Sequence, residues 1–173
     1  MELDARVTEL ERRLAVLEAT EAAEAPPSVG DGDFWALEAF KEQLAGVRAE
    51  RGGVLFTGSV RLPTDECYEW QYAELTEELL ADGGGEGGGS ATADSLAALG
   101  HPVRLRLLRE ILRGRRTAAE LADLDGIGTT GQIYHHLRQL TGAGWLSTTE
   151  RGRHEVPGHR VVPLLVVLSA AKS

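Results

Sequence analysis

The sequence predicts an α+β chain in two dissimilar halves, and three observations carry that reading. The first is charge. Residues 1–90 hold 7 Lys and Arg against 20 Asp and Glu, a balance of -13, while residues 91–173 hold 11 against 7, a balance of +4; together they give the net -9. The second is a run of glycine, Asp82-Gly83-Gly84-Gly85-Glu86-Gly87-Gly88-Gly89-Ser90, lying where the charge changes sign. The third is periodicity: apolar residues recur at helical spacing in several segments and at a spacing of two in a few short ones. The expected organisation is a coiled-coil helix over residues 1–20, a small helix-plus-hairpin domain over 33–81, a flexible linker over 82–93 and a second domain over 94–173.

Composition narrows the classes. A length of 173 residues admits one ordinary domain or two small ones. Aromatic residues make up only 5%, so the core is expected to be built mainly of Leu, Val and Ala. No apolar run reaches the ~18 residues a membrane helix needs, and the run Val161 to Ala171 is interrupted by Pro163. The start, Met1-Glu2-Leu3-Asp4-Ala5, lacks the basic opening of a secretory signal. The lone Cys67 cannot close an internal disulfide, so cytoplasmic residence without membrane association is expected.

The N-terminal half begins with Leu3, Val7, Leu10, Leu14 and Leu17, whose steps of 4, 3, 4, 3 form a heptad seam. Arg6 and Arg13 then fall at g and Glu11 and Glu18 at e, complementary in a parallel homodimer. Under three heptads make such a coil marginal alone, and packing on the chain's own core is the competing reading. Residues 20–32, with Pro26-Pro27, read as a stiff spacer. Asp33 is expected to cap a helix from Phe34 to about Glu50, ended by Gly52-Gly53. Val54 to Leu62, the turn Pro63-Thr64-Asp65-Glu66 and Cys67 to Tyr72 read as a β-hairpin, with a helix over Cys67–Leu80 as the alternative. Trp35, Phe40, Phe56, Tyr68, Trp70 and Tyr72 read as core more than as the lining of a ligand pocket. Cys67 reads as a small strand residue, with a redox sensor as the alternative.

The C-terminal half reads as helix, helix, helix-turn-helix, hairpin, helix. Asp94–Leu99 is a short helix closed by Gly100. Pro102 opens the next, which carries Val103, Leu105, Leu107, Leu108, Ile111 and Leu112 among four arginines and stops at Gly114. Thr117 and Glu120 match a capping box at the head of a short helix. Asp125-Gly126-Ile127-Gly128 makes a turn, and Thr129 caps a helix from Thr130 to about Thr141. Its buried stripe is Ile133, Leu137 and Leu140, so Thr130, Gln132, Tyr134, His135 and Arg138 face outward. Glutamine can pair with adenine, arginine with guanine, and threonine can touch a thymine methyl or a phosphate. Two helices joined by a glycine turn place such a face in a DNA major groove. Trp145 to Pro157 reads as a hairpin whose tip, Glu150-Arg151-Gly152-Arg153, brings Arg151 and Arg153 to the backbone or minor groove. Arg160 to Ala171 reads as a buried dimer helix, with a strand as the alternative. The DNA contacts expected are therefore Thr129, Thr130, Gln132, Tyr134, His135, Arg138, Arg151 and Arg153.

Two segments carry a resemblance. Ala97-Ala98-Leu99-Gly100-His101-Pro102-Val103-Arg104-Leu105-Arg106-Leu107-Leu108 and Thr129-Thr130-Gly131-Gln132-Ile133-Tyr134-His135-His136-Leu137-Arg138-Gln139-Leu140 resemble the ArsR-type (ArsR/SmtB-like) bacterial winged helix-turn-helix regulators, over about Ser95 to Ala171. That resemblance implies a dimeric DNA-binding regulator, usually a repressor, on an inverted repeat. It also implies where a metal would bind in many relatives. Ala118-Ala119-Glu120-Leu121-Ala122-Asp123-Leu124 lacks cysteine, and the last helix lacks His and carboxylates beyond His159, so no metal and no cofactor is expected.

The reading is thus of a sequence-specific transcriptional regulator whose partners are double-stranded DNA and a second copy of itself. A small-molecule or protein effector acting at the N-terminal domain stays open. The alternative is a protein-interaction module that uses the same fold to bind another regulator or RNA polymerase. An enzyme is not expected: no phosphate loop, nucleophile triad or catalytic zinc cluster is present.

Overall fold

The computed structural model describes residues 6–13, 34–81, 88–149 and 151–172. The chain forms two compact units, Met1–Glu42 and Gln43–Ser173. In the first, residues 6–13 form helix α1, fully exposed and carrying an Arg12–Glu9 ion pair of 2.8 Å. Most of the expected heptad seam, the spacer, the Asp33 cap and residues 82–87 of the glycine run lie outside the described residues. Helix α2, Trp35–Gly46, follows.

The second unit holds the hairpin and everything after it. Strand β1, Gly53–Arg61, pairs antiparallel with β2, Cys67–Leu75, in a register that sets Phe56 opposite Tyr72, Gly58 opposite Trp70 and Val60 opposite Tyr68. The loop closes through Leu62 N–H to the Glu66 carbonyl and Asp65 N–H to the Leu62 carbonyl. Asp65 takes a positive φ of 65° there, which its short polar side chain tolerates. The helix expected as the alternative over Cys67–Leu80 is confined to α3, Thr76–Leu80. Cys67 is exposed at the start of β2.

Helices α4 (Gly88–Leu99), α5 (Pro102–Leu112), α6 (Ala118–Ala122) and α7 (Thr130–Gly142) come next. Strands β3 (Ser147–Thr148) and β4 (His154–Glu155) form a short antiparallel pair, and helix α8 (Gly158–Ala170) closes the chain. Helix α4 starts inside the segment expected as linker: Gly88, Gly89 and Ser90 are helical, continuous with the Ala and Leu spacing that follows. The strand alternative for the last segment gives way to a helix. Val161, Val162 and Leu164 are buried there, and that packing overrides the β preference of a valine-rich run.

The core gathers on α5. Leu107, Leu108 and Ile111 are almost fully buried, and against them lie Leu121 of α6, Ile133, Leu137 and Leu140 of α7, and Val161 and Leu164 of α8. Trp145 is also buried, its indole N–H bonded to the Ser95 carbonyl at 3.0 Å and the Arg160 guanidinium 4.8 Å above its ring.

The hairpin joins this core. Leu62 is buried in it, and Val60 and Tyr68 pack on its edge. One hairpin face carries Gly58, over which the Val162 side chain of α8 sits closely. The aromatic residues expected as core divide accordingly. Tyr68 packs inward, whereas Trp70 and Tyr72 on the same face are exposed at 39% and 47%, and Trp35 of α2 is exposed too. Helix α8 lies against this face at Gly58, through Val162, and at Tyr68, through Gly158.

A Cβ at Gly58 would lie 2.7 Å from Val162 Cγ1. Gly58→Val should therefore destabilise the unit by about 1–3 kcal/mol. Ser59→Val, on the exposed face one residue away, should change stability little. Urea unfolding of both variants checks the pair; equal effects would mean that the hairpin does not bear on α8.

Candidate nucleic-acid interface

The turn between α6 and α7 determines what α7 presents. Gly126 and Gly128 have φ of 73° and 104°, conformations that a side chain would strain. Thr129 then caps α7, and the cap is a full box. The Thr129 hydroxyl accepts from the Gln132 N–H at 3.4 Å, and the Gln132 side-chain oxygen accepts from the Thr129 N–H at 2.8 Å. A Cβ at Gly128 would collide with that oxygen. The same device heads α6, where Thr117 and Glu120 form the box expected from their spacing.

Helix α7 buries Ile133, Leu137 and Leu140 and leaves Thr129, Thr130, Gln132, Tyr134, His135 and Arg138 exposed. Tyr134 is half exposed. Arg151 and Arg153 are exposed beside the β3–β4 pair; Glu150 lies outside the described residues. The turn there closes through Gly152 N–H to the Thr149 carbonyl and Thr149 N–H to the Arg153 carbonyl. Arg138, Arg151 and Arg153 make no ion pair among the described residues.

Gln132 is exposed and also serves the cap. Its carboxamide is turned back to the helix start, where spacing alone had it reaching outward. Other residues passed over as surface position the interface. Arg104 of α5 donates to the Ala97 and Ala98 carbonyls at the end of α4 and to the Gln139 side-chain oxygen on α7 at 2.7 Å. Arg106 donates to the Asp125 carbonyl in the turn at 2.6 Å. The signal that finds them is an arginine on the flank of an apolar helix face, within reach of another helix's last carbonyls.

Histidines lie behind the exposed face. His101 caps α5, its Nδ1 accepting from the Val103 N–H at 3.2 Å. Its ring lies 4.7 Å from that of His136, which in turn lies 5.7 Å from His135. Among the described residues no group of three or more His, Cys, Asp or Glu side chains could hold a metal ion. Burial pushes the His136 pKa down, and the neighbouring His101, Arg104 and His135 push it the same way. Burial lowers His154 as well. Glu120 is held low by the Thr117 N–H and hydroxyl, with a smaller pull from Arg153.

For both histidines the unfolded chain takes up protons at a higher pH than the folded one. Their contribution is complete above the ordinary histidine value of about 6.5 and is lost as pH falls toward the lowered folded value. Glu66 and Glu120, also lowered, act only below the ordinary carboxylate range. The melting temperature should therefore fall between pH 7 and pH 5.5, and a His136→Gln, His154→Gln double variant should show a shallower fall. Equal slopes by calorimetry would mean these rings are not the source.

Residues 99–146 match the family model described as a helix-turn-helix domain. The chain is similar to the probable mercury resistance operon repressor of Streptomyces lividans, 38% identical over 79 residues that make up 44% of this chain. It spans 62% of that relative's length. No solved structure matches it. Among the described residues no helix is long and apolar enough to cross a membrane. With a capped second helix, a hairpin wing and this match in one segment, the C-terminal half of the chain is a winged helix-turn-helix domain.

Proposed function

We propose that the protein is a sequence-specific DNA-binding transcriptional regulator, a repressor acting as a dimer on an inverted repeat. The observation that carries this reading is the exposed face of α7, held in orientation by its buried stripe and accompanied by the exposed arginines of the wing. Thr130, Tyr134, His135 and Arg138 would approach base edges and Gln132 would do so from the edge of the cap. Arg151 and Arg153 would meet phosphates or the minor groove. The amides of the first turn of α7 add a site for a phosphate. The resemblance to a named repressor supports the sign of regulation, and the heptad seam of residues 3–17 together with the half-buried apolar residues of α8 supports a dimer. The net negative charge is no obstacle, because the acid sits in the other half of the chain.

Genomic fragments selected by the purified protein should share an inverted repeat, and affinity should fall steeply as salt rises. Arg138→Ala should weaken binding to that repeat by about 1–3 kcal/mol and relax one base position. Arg151→Ala and Arg153→Ala should weaken all duplexes alike, each lowering the salt slope by about 1. Anisotropy titrations at two salt concentrations measure both effects. Selection without an enriched repeat, with no salt-dependent duplex binding, would shift the reading to a protein-interaction module.

A further inference from the structure

A cavity of about 160 Å³ lies where the hairpin, α5, the wing and α8 meet. Leu62, Ile111, Val156 and Val161 make its apolar wall, and Tyr68, Arg116 and Glu155 make its polar side. The volume suits a body about the size of one ring, since a cavity near 150 Å³ holds benzene.

The charges around it are unequal. The Arg116 guanidinium is taken by Glu66 of the hairpin loop, its ion-pair partner. Glu66 is held to its charged form against the cost of burial by the Thr64 hydroxyl and by Arg116. The Glu155 side chain has no hydrogen bond or ion pair among the described residues, although the residue is half-buried. It lies near enough to raise the Tyr68 hydroxyl pKa, behind the larger effects of burial and Glu66. The cavity is therefore lined by one carboxylate, Glu155, and by one guanidinium whose charge is already taken up by Glu66 from outside the lining. A partly buried carboxylate lacking a donor is costly, and a ligand ammonium would supply a charge-assisted one beside the Tyr68 ring.

We propose that this cavity is a ligand site for a compact organic cation, a primary amine on a single-ring or short aliphatic body. We propose further that its occupancy regulates the wing. Glu155 is on β4, whose neighbour His154 donates its N–H to the Arg116 carbonyl at 2.7 Å. An amine drawing on Glu155 acts directly on the strand that carries Arg151 and Arg153 toward a duplex. Only this second step rests on the DNA-binding reading.

The test uses the full chain, with benzylamine as probe and benzoate as its oppositely charged counterpart. Calorimetric titration should show saturable one-site binding of benzylamine and none of benzoate. Glu155→Gln, which keeps the side-chain shape, should weaken benzylamine at least about tenfold, whereas Glu69→Gln on the exposed strand face should not. Absence of saturable benzylamine binding, equal binding by Glu155→Gln, or equal binding of benzoate would each overturn the site. Duplex affinity is then measured with and without saturating benzylamine, and a shift of several-fold is expected. Unchanged duplex affinity alongside intact amine binding would overturn the regulatory step alone. Failure of the DNA reading itself would show separately, as no duplex binding without the amine.

Discussion

The interface depends on one constraint: α7 must bury Ile133, Leu137 and Leu140 against α5. Each residue of a helix turns the chain by about 100°, so burying that stripe determines which side chains point away. Three buried aliphatic side chains contribute about 1.5–3 kcal/mol each. The Thr129–Gln132 box contributes about 1 kcal/mol. Burial therefore sets the rotation of the helix, and the cap and the Arg104 and Arg106 contacts set where it begins and how it sits on its neighbours. Changing an outward residue alters what α7 can touch, whereas changing an inward one alters which residues are outward.

The same comparison of magnitudes applies to the hairpin. Apolar contacts, among them those of Leu62 and the close approach of Val162 to Gly58, tie it to the winged helix together with the Arg116–Glu66 pair. The pair is partly exposed, with side-chain accessibilities of 20% and 37%, so solvent screening leaves it worth no more than about 1 kcal/mol. Leu62 alone contributes more than that. Apolar contact thus holds the hairpin in place, and the ion pair fixes its direction of approach. The consequence reaches the wing, because Arg116 meets the hairpin through its side chain and β4 through its carbonyl.

How much could be read in advance follows from how local each signal is. The stripes of α5 and α7, the Thr117–Glu120 box and the hairpin are written within a few residues of one another, and all were legible. The Thr129–Gln132 box has the same spacing, yet Gln132 also suits an adenine, and spacing alone cannot choose between the two uses. The valine-rich α8 was ambiguous because β-branched residues favour strands until a partner covers them. Exposure of Trp70 and Tyr72 was not legible at all. It depends on which hairpin positions α8 packs against, and about a hundred residues of sequence separate the two. The Ala and Leu spacing after Ser90 reaches back into the glycines, so the α4 start at Gly88 was hidden by composition.

The double use of Gln132 has an energetic consequence for recognition. Pairing with adenine requires the carboxamide to present its oxygen and its nitrogen outward together, whereas that oxygen is aimed at the Thr129 N–H. Turning it outward opens the box at a cost of about 1 kcal/mol, against the about 1–3 kcal/mol a good base pairing supplies. With the box closed, the amide nitrogen alone can donate, and a single donor meets acceptors on several bases. On the proposed DNA-binding reading, discrimination would therefore fall to side chains with no structural duty, Arg138 foremost, because its guanidinium forms no ion pair among the described residues that must first be broken.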